Sequence, residues 1–181
     1  KLEDMNTRGL DFSKNSTDAK SIIYLGDTRN MFFIKDNEVD HIVTSPPYAN
    51  TYDYYLYHKF RIFWLDFDLK SLQDEEIGSR NRHSSKKEGI STFIESLDNC
   101  LAEMGRVLKK GKYAVIVIGD SVIRKELIDA SEIIKKLAAK NNFKHVRTIS
   151  YNLSENSKMF NPKFTNQDKL EHIMFLKNEK K

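Results

Sequence analysis

The sequence of 181 residues predicts an α/β domain. Short apolar runs that are typical of buried strands alternate with longer segments whose apolar residues recur at helical spacing. One run, residues 113–118, is apolar throughout, as expected for a central strand that is buried on both faces. The last two predicted strands, residues 143–153 and 170–177, have no helix between them, which favours an antiparallel pair at the end of the sheet.

Composition and charge narrow the range of functions. Hydrophobic residues make up 39% of the chain and charged residues 31%, and the longest apolar run is far shorter than the roughly 20 residues of a membrane span, so no membrane partner is predicted. The net charge of +4 is compatible with a polyanionic partner such as DNA. A single cysteine excludes an intrachain disulfide and, with no targeting pattern, predicts a cytoplasmic location.

The chain divides into a polar lead-in at residues 1–20 and one α/β portion at residues 21–178. Within that portion, residues 66–89 are charged and lack periodicity, so we predict an exposed insertion there. The insertion contains a basic cluster at residues 80–87. This cluster is equally consistent with a loop that contacts phosphates and with a solvated loop.

The most informative stretch is residues 40–48, where a short β-branched run ends in Ser45, Pro46, Pro47 and Tyr48. Two successive prolines lack N–H groups and fix φ, so the strand must end here. In open α/β sheets, ligands bind at the carboxyl ends of the strands. There, the Ser45 hydroxyl and the Pro46 carbonyl would offer acceptors to an amino group, and the Tyr48 ring would offer a flat face for stacking. The alternative is a plain proline turn.

Residues 44–48, Thr-Ser-Pro-Pro-Tyr, resemble the (Asp/Asn/Ser)-Pro-Pro-aromatic signature of the amino-group DNA methyltransferases, which methylate adenine N6 or cytosine N4 with S-adenosylmethionine. The resemblance covers roughly residues 21–177. It implies part of a class I methyltransferase sheet, Rossmann-like, with an antiparallel last strand. It also implies that the catalytic residues are Ser45, Pro46, Pro47 and Tyr48, and the serine favours cytosine N4 as the target.

The resemblance further implies cofactor contacts. Residues 21–25 predict a strand that ends at Gly26-Asp27, and in the family an acid at this position accepts a hydrogen bond from the adenine amino group of the cofactor. We therefore expect Gly26, Asp27 and Thr44 to contact S-adenosylmethionine; alternatively, Asp27 merely caps the following turn.

The glycine-rich half of the cofactor site is absent from this sequence, because none of the seven glycines forms a Phe-x-Gly-x-Gly turn. We expect that half upstream or on another chain. This chain would then be the carboxyl-terminal part of a longer or split enzyme, or one subunit of a homodimer.

The residues after the motif predict substrate contacts and core packing. Four of them follow the turn directly and could hold the target base: Asn50, Tyr52, Asp53 and Tyr54. Further along, Tyr55, Phe60, Phe63 and Trp64 have helical spacing and predict a helix packed on the sheet. Ser121 is predicted to cap a later helix whose buried stripe begins at Ile123.

As a function, the resemblance implies a DNA methyltransferase of the restriction-modification type that acts on a flipped base. Two alternatives stay open: an adenine-N6 or RNA amino-methyltransferase, and a non-catalytic nucleic-acid-binding or assembly module. The five histidines are scattered without paired His/Cys spacing, so no metal site is predicted.

Overall fold

The computed structural model describes residues 20–79, 89–152 and 169–180. The strands are β1 (Val39–Thr44), β2 (Leu108–Gly119), β3 (Ser121–Ile123), β4 (Glu126–Ile128), β5 (Phe143–Asn152) and β6 (Leu170–Asn178). The helices are α1 (Tyr54–Tyr57), α2 (Lys59–Trp64), α3 (Leu69–Glu75), α4 (Ser91–Val107) and α5 (Ala130–Lys140). None of the helices in these ranges is both long and apolar enough to cross a lipid bilayer.

The main sheet has four strands in the order β1-β2-β6-β5. Strands β1 and β2 are parallel, whereas β6 is antiparallel to both of its neighbours, β2 and β5. The antiparallel pairing predicted for the last two strands is thus confirmed. Because β6 runs against the others, its first residues lie at the same edge of the sheet as the carboxyl ends of β1 and β2.

The core lies on one face of this sheet, under α4 and α5. Alternate residues of β2 and β6 are buried on that face, as the two-residue period of a strand requires. The central core residues on the two strands are Ala114, Ile116, Ile118, Met174 and Leu176, and α4 and α5 add Phe93, Leu97, Leu101, Met104, Ile134 and Leu137. The opposite face, with Val115, Val117, Ile173 and Phe175, is only half-buried among the described residues.

Arg106, near the end of α4, holds the segment before β1 in place. Its guanidinium donates hydrogen bonds to the carbonyls of Met31, at 2.9 Å, and Ile34, at 3.0 Å, and it pairs with Asp36 at 2.6 Å. The backbone N–H of Met31 in turn bonds to the Glu103 carboxylate at 2.7 Å. These contacts fix residues 31–36 beside α4 and thereby position the Gly26-Asp27 turn that precedes them.

The strand predicted at residues 21–25 is wrong. These residues form no strand, and Ile22, Ile23 and Leu25 are 72%, 94% and 94% exposed. A strand is held by hydrogen bonds to a neighbouring strand, and the described part of the chain places none beside this segment.

Of the four aromatic residues predicted to pack on the sheet, only Tyr55 is buried, and the prediction is wrong for the other three. Tyr55 is buried, whereas Phe60, Phe63 and Trp64 are 82%, 55% and 92% exposed. The reason is that the helix is not continuous: it breaks at His58 into α1 and α2, and Ile62 is the buried residue of α2. The aromatic residues therefore do not share one face of a single helix.

The helix predicted to begin at Ser121 is also wrong over its first turns. Residues 121–128 form the hairpin β3–β4, whose two turn residues, Arg124 and Lys125, have φ of 53° and 70°. Positive φ at both positions is the conformation of a tight two-residue hairpin. The helix that follows, α5, begins at Ala130 and is capped by the Asp129 carboxylate, which accepts from the Glu132 N–H at 3.1 Å.

The described part of the predicted insertion 66–89 contains α3, which Asp68 caps and which has no buried residue. The two residues that follow shortly after it, Gly78 and Ser79, are buried. Residues 80–88, which include the basic cluster, lie outside the described residues.

Candidate active site at the carboxyl end of β1

The Ser-Pro-Pro-Tyr turn begins where β1 ends, as the two prolines predict. Ser45 is exposed, whereas Tyr48 is half-buried and the next residue, Ala49, is 2% exposed and belongs to the core. Asn50 adopts a φ of 54° and its N–H bonds to the Gly78 carbonyl at 3.0 Å. The turn is therefore anchored on one side by β1 and on the other by the buried Gly78.

The Tyr48 phenol occupies the centre of this edge. It donates a short hydrogen bond to the carboxylate of Glu171, the second residue of β6. Burial raises the pKa of Tyr48, the bond to Glu171 raises it further, and a hydrogen bond with the Ser45 side chain opposes the rise. Since a donor to the phenol oxygen favours the phenolate, this lowering is the effect expected if the Ser45 hydroxyl donates to Tyr48. The hydrogen bond from Tyr48 to Glu171 therefore links the motif to the start of β6, and the Ser45 side chain lies close enough to Tyr48 to lower its pKa.

Two of the predicted substrate contacts are held within the protein. The Asn50 side chain donates to the Val122 carbonyl of β3 at 2.6 Å, and its Oδ1 atom is buried without a hydrogen-bond partner among the described residues. The Asp53 carboxylate accepts from Ser79 at 2.8 Å. Both side chains therefore fix the loop after the motif.

The other two predicted contacts, Tyr52 and Tyr54, are each 41% exposed, and their ring centroids lie 5.7 Å apart. The backbone of Tyr54 is held by its N–H, which bonds to Glu76 at 2.7 Å. These two rings form an exposed aromatic surface beside the turn.

A cavity of about 510 Å³ lies beside β1 and the motif. Its polar rim includes Thr28, Thr44 and Ser45, and Pro46 and Pro47 lie alongside. Its apolar wall comes from α4, from Ile42 of β1 and from the segment before β1, with Met31, Ile34, Leu97, Leu101 and Met104 among its residues. The cavity therefore joins an apolar floor to the polar groups at the end of β1.

The Gly26-Asp27 turn adjoins this cavity in the chain, but neither of its two residues lines the cavity. Thr28 lines it, and the Thr28 hydroxyl lies 3.4 Å from the Cys100 sulfur on α4. The Asp27 carboxylate is paired with Arg29 at 2.6 Å, and the hydrogen bond from Arg29 lowers the pKa of Asp27. Gly26 is packed so closely under Phe33 that an added Cβ would lie 2.5 Å from a ring carbon, so only glycine fits without rearrangement.

At the end of β2, Asp120 connects three elements. Its carboxylate, in a residue that is 5% exposed, accepts from the Ala130 N–H at 2.9 Å, from His172 at 3.1 Å and from the Leu170 N–H at 3.2 Å. The other ring nitrogen of His172 lies 2.8 Å from the Ser150 hydroxyl on β5. Ligand atoms of Asp120, Asp129 and His172 lie within 4.8 Å of one another, but protein donors already occupy these carboxylates. The cluster therefore connects the end of β2 to β5, β6 and the start of α5 by hydrogen bonds.

Sequence reasoning missed the roles of Glu171 and His172 and treated Asp120 as a simple turn acid. All three lie at strand ends on the edge that carries the motif. A detectable signal was present, because Glu171 and His172 stand near the start of β6 in front of four consecutive apolar residues. Polar residues at a strand end on the ligand-binding edge are candidates for site contacts.

The sequence of residues 39–181 matches the profile of a family described as DNA methylase, N6_N4_Mtase. The chain belongs to this family. A relative in it is the type II methyltransferase M.MjaII of Methanocaldococcus jannaschii, which is 32% identical over 145 residues. The match covers 72% of this chain and 27% of that relative, so the chain spans about a quarter of the relative's length.

Solved structures of methyltransferases share the fold. A protein of Thermus thermophilus assigned as a DNA modification methylase, solved in complex with S-adenosyl-L-methionine, has a TM-score of 0.53 and 20% identity, over 87% of this chain and 55% of that one. The cytosine-N4-specific PvuII DNA methyltransferase has a TM-score of 0.54 and 12% identity, over 90% and 50%. The chain therefore spans about half of these proteins.

Proposed function

We propose that this chain carries the target-base side of an S-adenosylmethionine-dependent DNA methyltransferase that methylates an exocyclic amino group, with cytosine N4 as the preferred target. The observation that carries the proposal is the Ser-Pro-Pro-Tyr turn at the carboxyl end of β1, with a cavity beside it and an oriented phenol at its centre. Family membership and the relatives' printed activities support the same reaction class.

The residues of the turn suit an amino group. In the proposed complex, the flipped base stacks on the Tyr48 ring, and its amino group donates to the Ser45 hydroxyl and the Pro46 carbonyl. These two acceptors direct the nitrogen lone pair at the incoming methyl group, which lowers the barrier by orientation without a covalent enzyme intermediate. The exposed rings of Tyr52 and Tyr54 offer further stacking surface beside the base.

The described residues fit one side of the cofactor. The cavity reaches the Thr44–Pro47 stretch, where the reactive end would lie, and the Gly26-Asp27 turn stands at its Thr28 side. The Asp27 carboxylate can accept an adenine amino group only by sharing with Arg29, which now occupies it. When bound, S-adenosylmethionine supplies an electrophilic methyl group on a sulfonium.

We place the remaining, glycine-rich side of the cofactor site outside this sequence, on a further part of the protein or on a second chain, and a homodimer is one such arrangement. The free side of β1 supports this: in the described sheet, β1 pairs with β2 alone, and Val43 is 78% exposed. A strand added there would extend a Rossmann-like sheet and cover the cavity. We keep the cytoplasmic location and a restriction-modification role as predictions.

The test is product analysis with the intact protein. DNA is incubated with S-adenosylmethionine, digested to nucleosides and examined by mass spectrometry for N4-methylcytosine and N6-methyladenine, with RNA assayed in parallel. We expect N4-methylcytosine in DNA, and we expect Ser45→Ala to lower turnover by at least tenfold with little change in DNA affinity. Ser91→Ala, at an exposed serine in the first position of α4, is the matched control.

The outcomes separate the alternatives. N6-methyladenine or methylated RNA would keep the reaction class and change the target. Equal losses of turnover and DNA affinity in Ser45→Ala would overturn the catalytic assignment of the turn. DNA binding without any cofactor binding, measured by titration calorimetry of the intact protein, would favour a binding or assembly module.

A further inference from the structure

The Tyr48 phenol donates a hydrogen bond to the Glu171 carboxylate. The exposed Ser45 side chain lies on the other side of this bond, close enough to Tyr48 to lower the pKa of the phenol. The raised pKa of Tyr48 keeps the phenol protonated at neutral pH, so it remains a donor to Glu171. Glu171 itself is only half-buried, which leaves its carboxylate within reach of water.

We propose that Ser45, Tyr48 and Glu171 form a proton relay in which Glu171 is the terminal acceptor. This inference rests on the proposed function. An amino nitrogen that forms a bond to the incoming methyl carbon, as the methyl–sulfur bond breaks, becomes cationic and must lose one proton. Neither proline has a titratable group, and a serine hydroxyl cannot hold an added proton at neutral pH.

The relay accounts for the proton that the amino nitrogen must lose. The surplus proton passes from the amino nitrogen to the Ser45 oxygen while the Ser45 hydroxyl proton passes to Tyr48. The Tyr48 phenolic proton passes to Glu171, which becomes a neutral carboxylic acid and later releases its proton to water. The products are the neutral methylated base, the neutral thioether and an unchanged Ser45 and Tyr48.

Other acids near this edge are less suited to the acceptor role. Asp120 is buried and holds three donors, and Asp53 accepts from Ser79. In the sheet register, Glu171 lies opposite Gly119 of β2 and Tyr151 of β5, and Tyr54 is close enough to Tyr48 to raise its pKa. The nearest cation in sequence, Lys169, has its pKa lowered by burial and raised by Asp120. Apart from these two acids, the titratable neighbours of the relay are the phenols of Tyr54 and Tyr151 and the cation Lys169.

The test compares Glu171→Gln with Glu171→Ala and Tyr48→Phe in the intact protein. Glutamine keeps an acceptor oxygen for the phenol but cannot take a proton, so it separates a relay from simple positioning. We expect single-turnover methyl transfer to fall at least tenfold in Glu171→Gln with unchanged DNA and cofactor affinity. The pH profile of single-turnover methyl transfer should also differ between the wild type and Glu171→Gln.

A second measurement checks the contact without activity. In protein labelled with 3-fluorotyrosine, the resonance that disappears in Tyr48→Phe should shift in Glu171→Gln and stay fixed in Glu179→Gln, the exposed glutamate just beyond β6. Tyr113→Phe, on the exposed part of β2, is the matched tyrosine control.

Each result decides between the claims. A Glu171→Gln variant with wild-type rate, or one that is slower but keeps the wild-type pH profile, overturns the relay. A Tyr48→Phe/Glu171→Ala double variant whose loss is the product of the single losses also overturns it, because steps of one relay are not independent. If the wild type transfers no methyl group although the fluorine shift shows the contact, the proposed function fails and the relay fails with it.

Discussion

Replacing Asp120 with alanine should destabilise the chain more than any ordinary surface substitution. The Asp120 side chain is only 5% exposed, and its carboxylate accepts from two backbone N–H groups, of Ala130 and Leu170, and from His172. Each buried donor left without a partner costs about 1–3 kcal/mol. Since relaxation and entering water will satisfy part of this loss, we expect the free energy of unfolding to fall by about 3 kcal/mol.

The assay is urea unfolding of the 181-residue chain followed by far-ultraviolet circular dichroism. With an m-value of about 2 kcal/mol/M, the loss corresponds to a midpoint lowered by about 1.5 M at constant slope. Asp120→Asn should cost less, because it keeps one acceptor oxygen, but its amide N–H₂ would face a protein donor. Glu95→Ala, on the exposed face of α4, is the control. An alanine variant whose free energy of unfolding lies within about 0.5 kcal/mol of wild type would refute the stabilising role of Asp120, because that is the range of ordinary surface changes.

Two further predictions concern contacts of α4. Gly78→Ala should lower the free energy of unfolding by about 1–2 kcal/mol or more. The reason is that Gly78 has a φ of 72° and that an added Cβ would lie 2.9 Å from the Phe93 ring. Gly89→Ala should be near neutral in the same urea assay, because the nearest atom lies 3.9 Å from the added Cβ. Asp98 has its pKa lowered from 3.8 by hydrogen bonds from Lys140 and Asn141, so its stabilisation is present above about pH 4 and is lost as pH falls through the lowered value. The stability difference between wild type and Asp98→Asn should therefore shrink from pH 6 to pH 2 in urea titrations, and a constant difference would contradict the assignment.

The parts of the fold that were predictable from sequence are those fixed by local chemistry. Two prolines end β1 wherever it lies, and the lack of a helix between β5 and β6 leaves an antiparallel return as the simplest connection. The predictions that failed concern segments whose structure depends on neighbouring parts of the fold. Residues 21–25 have strand composition but no described strand to pair with, and the aromatic stripe of α2 was displaced by a break at His58 that the periodicity does not signal.

The partner of Tyr48 was unpredictable for a different reason. Tyr48 and Glu171 are 123 positions apart, and their contact depends on β6 lying beside β2 in one particular register. Single-sequence reasoning identifies the strand but not its register. The residues of the motif were therefore predictable as a group, whereas the acid that accepts the hydrogen bond from Tyr48 emerged only from the assembled sheet.

The register of β6 also determines which of its side chains point to each face of the sheet at the site. Glu171 and His172 are consecutive, so the pleat sends one to Tyr48 and the other to the buried Asp120. A slip of one residue would exchange them, placing the Glu171 carboxylate in the core and removing the acceptor from Tyr48. The pairing of Ile116 with Met174 and of Ala114 with Leu176 opposes such a slip, because it would turn these buried side chains to the other face. The apolar core between β2 and β6 therefore determines which residue the Tyr48 phenol can reach, and a core substitution that loosens this register should impair the Tyr48–Glu171 contact before it unfolds the chain.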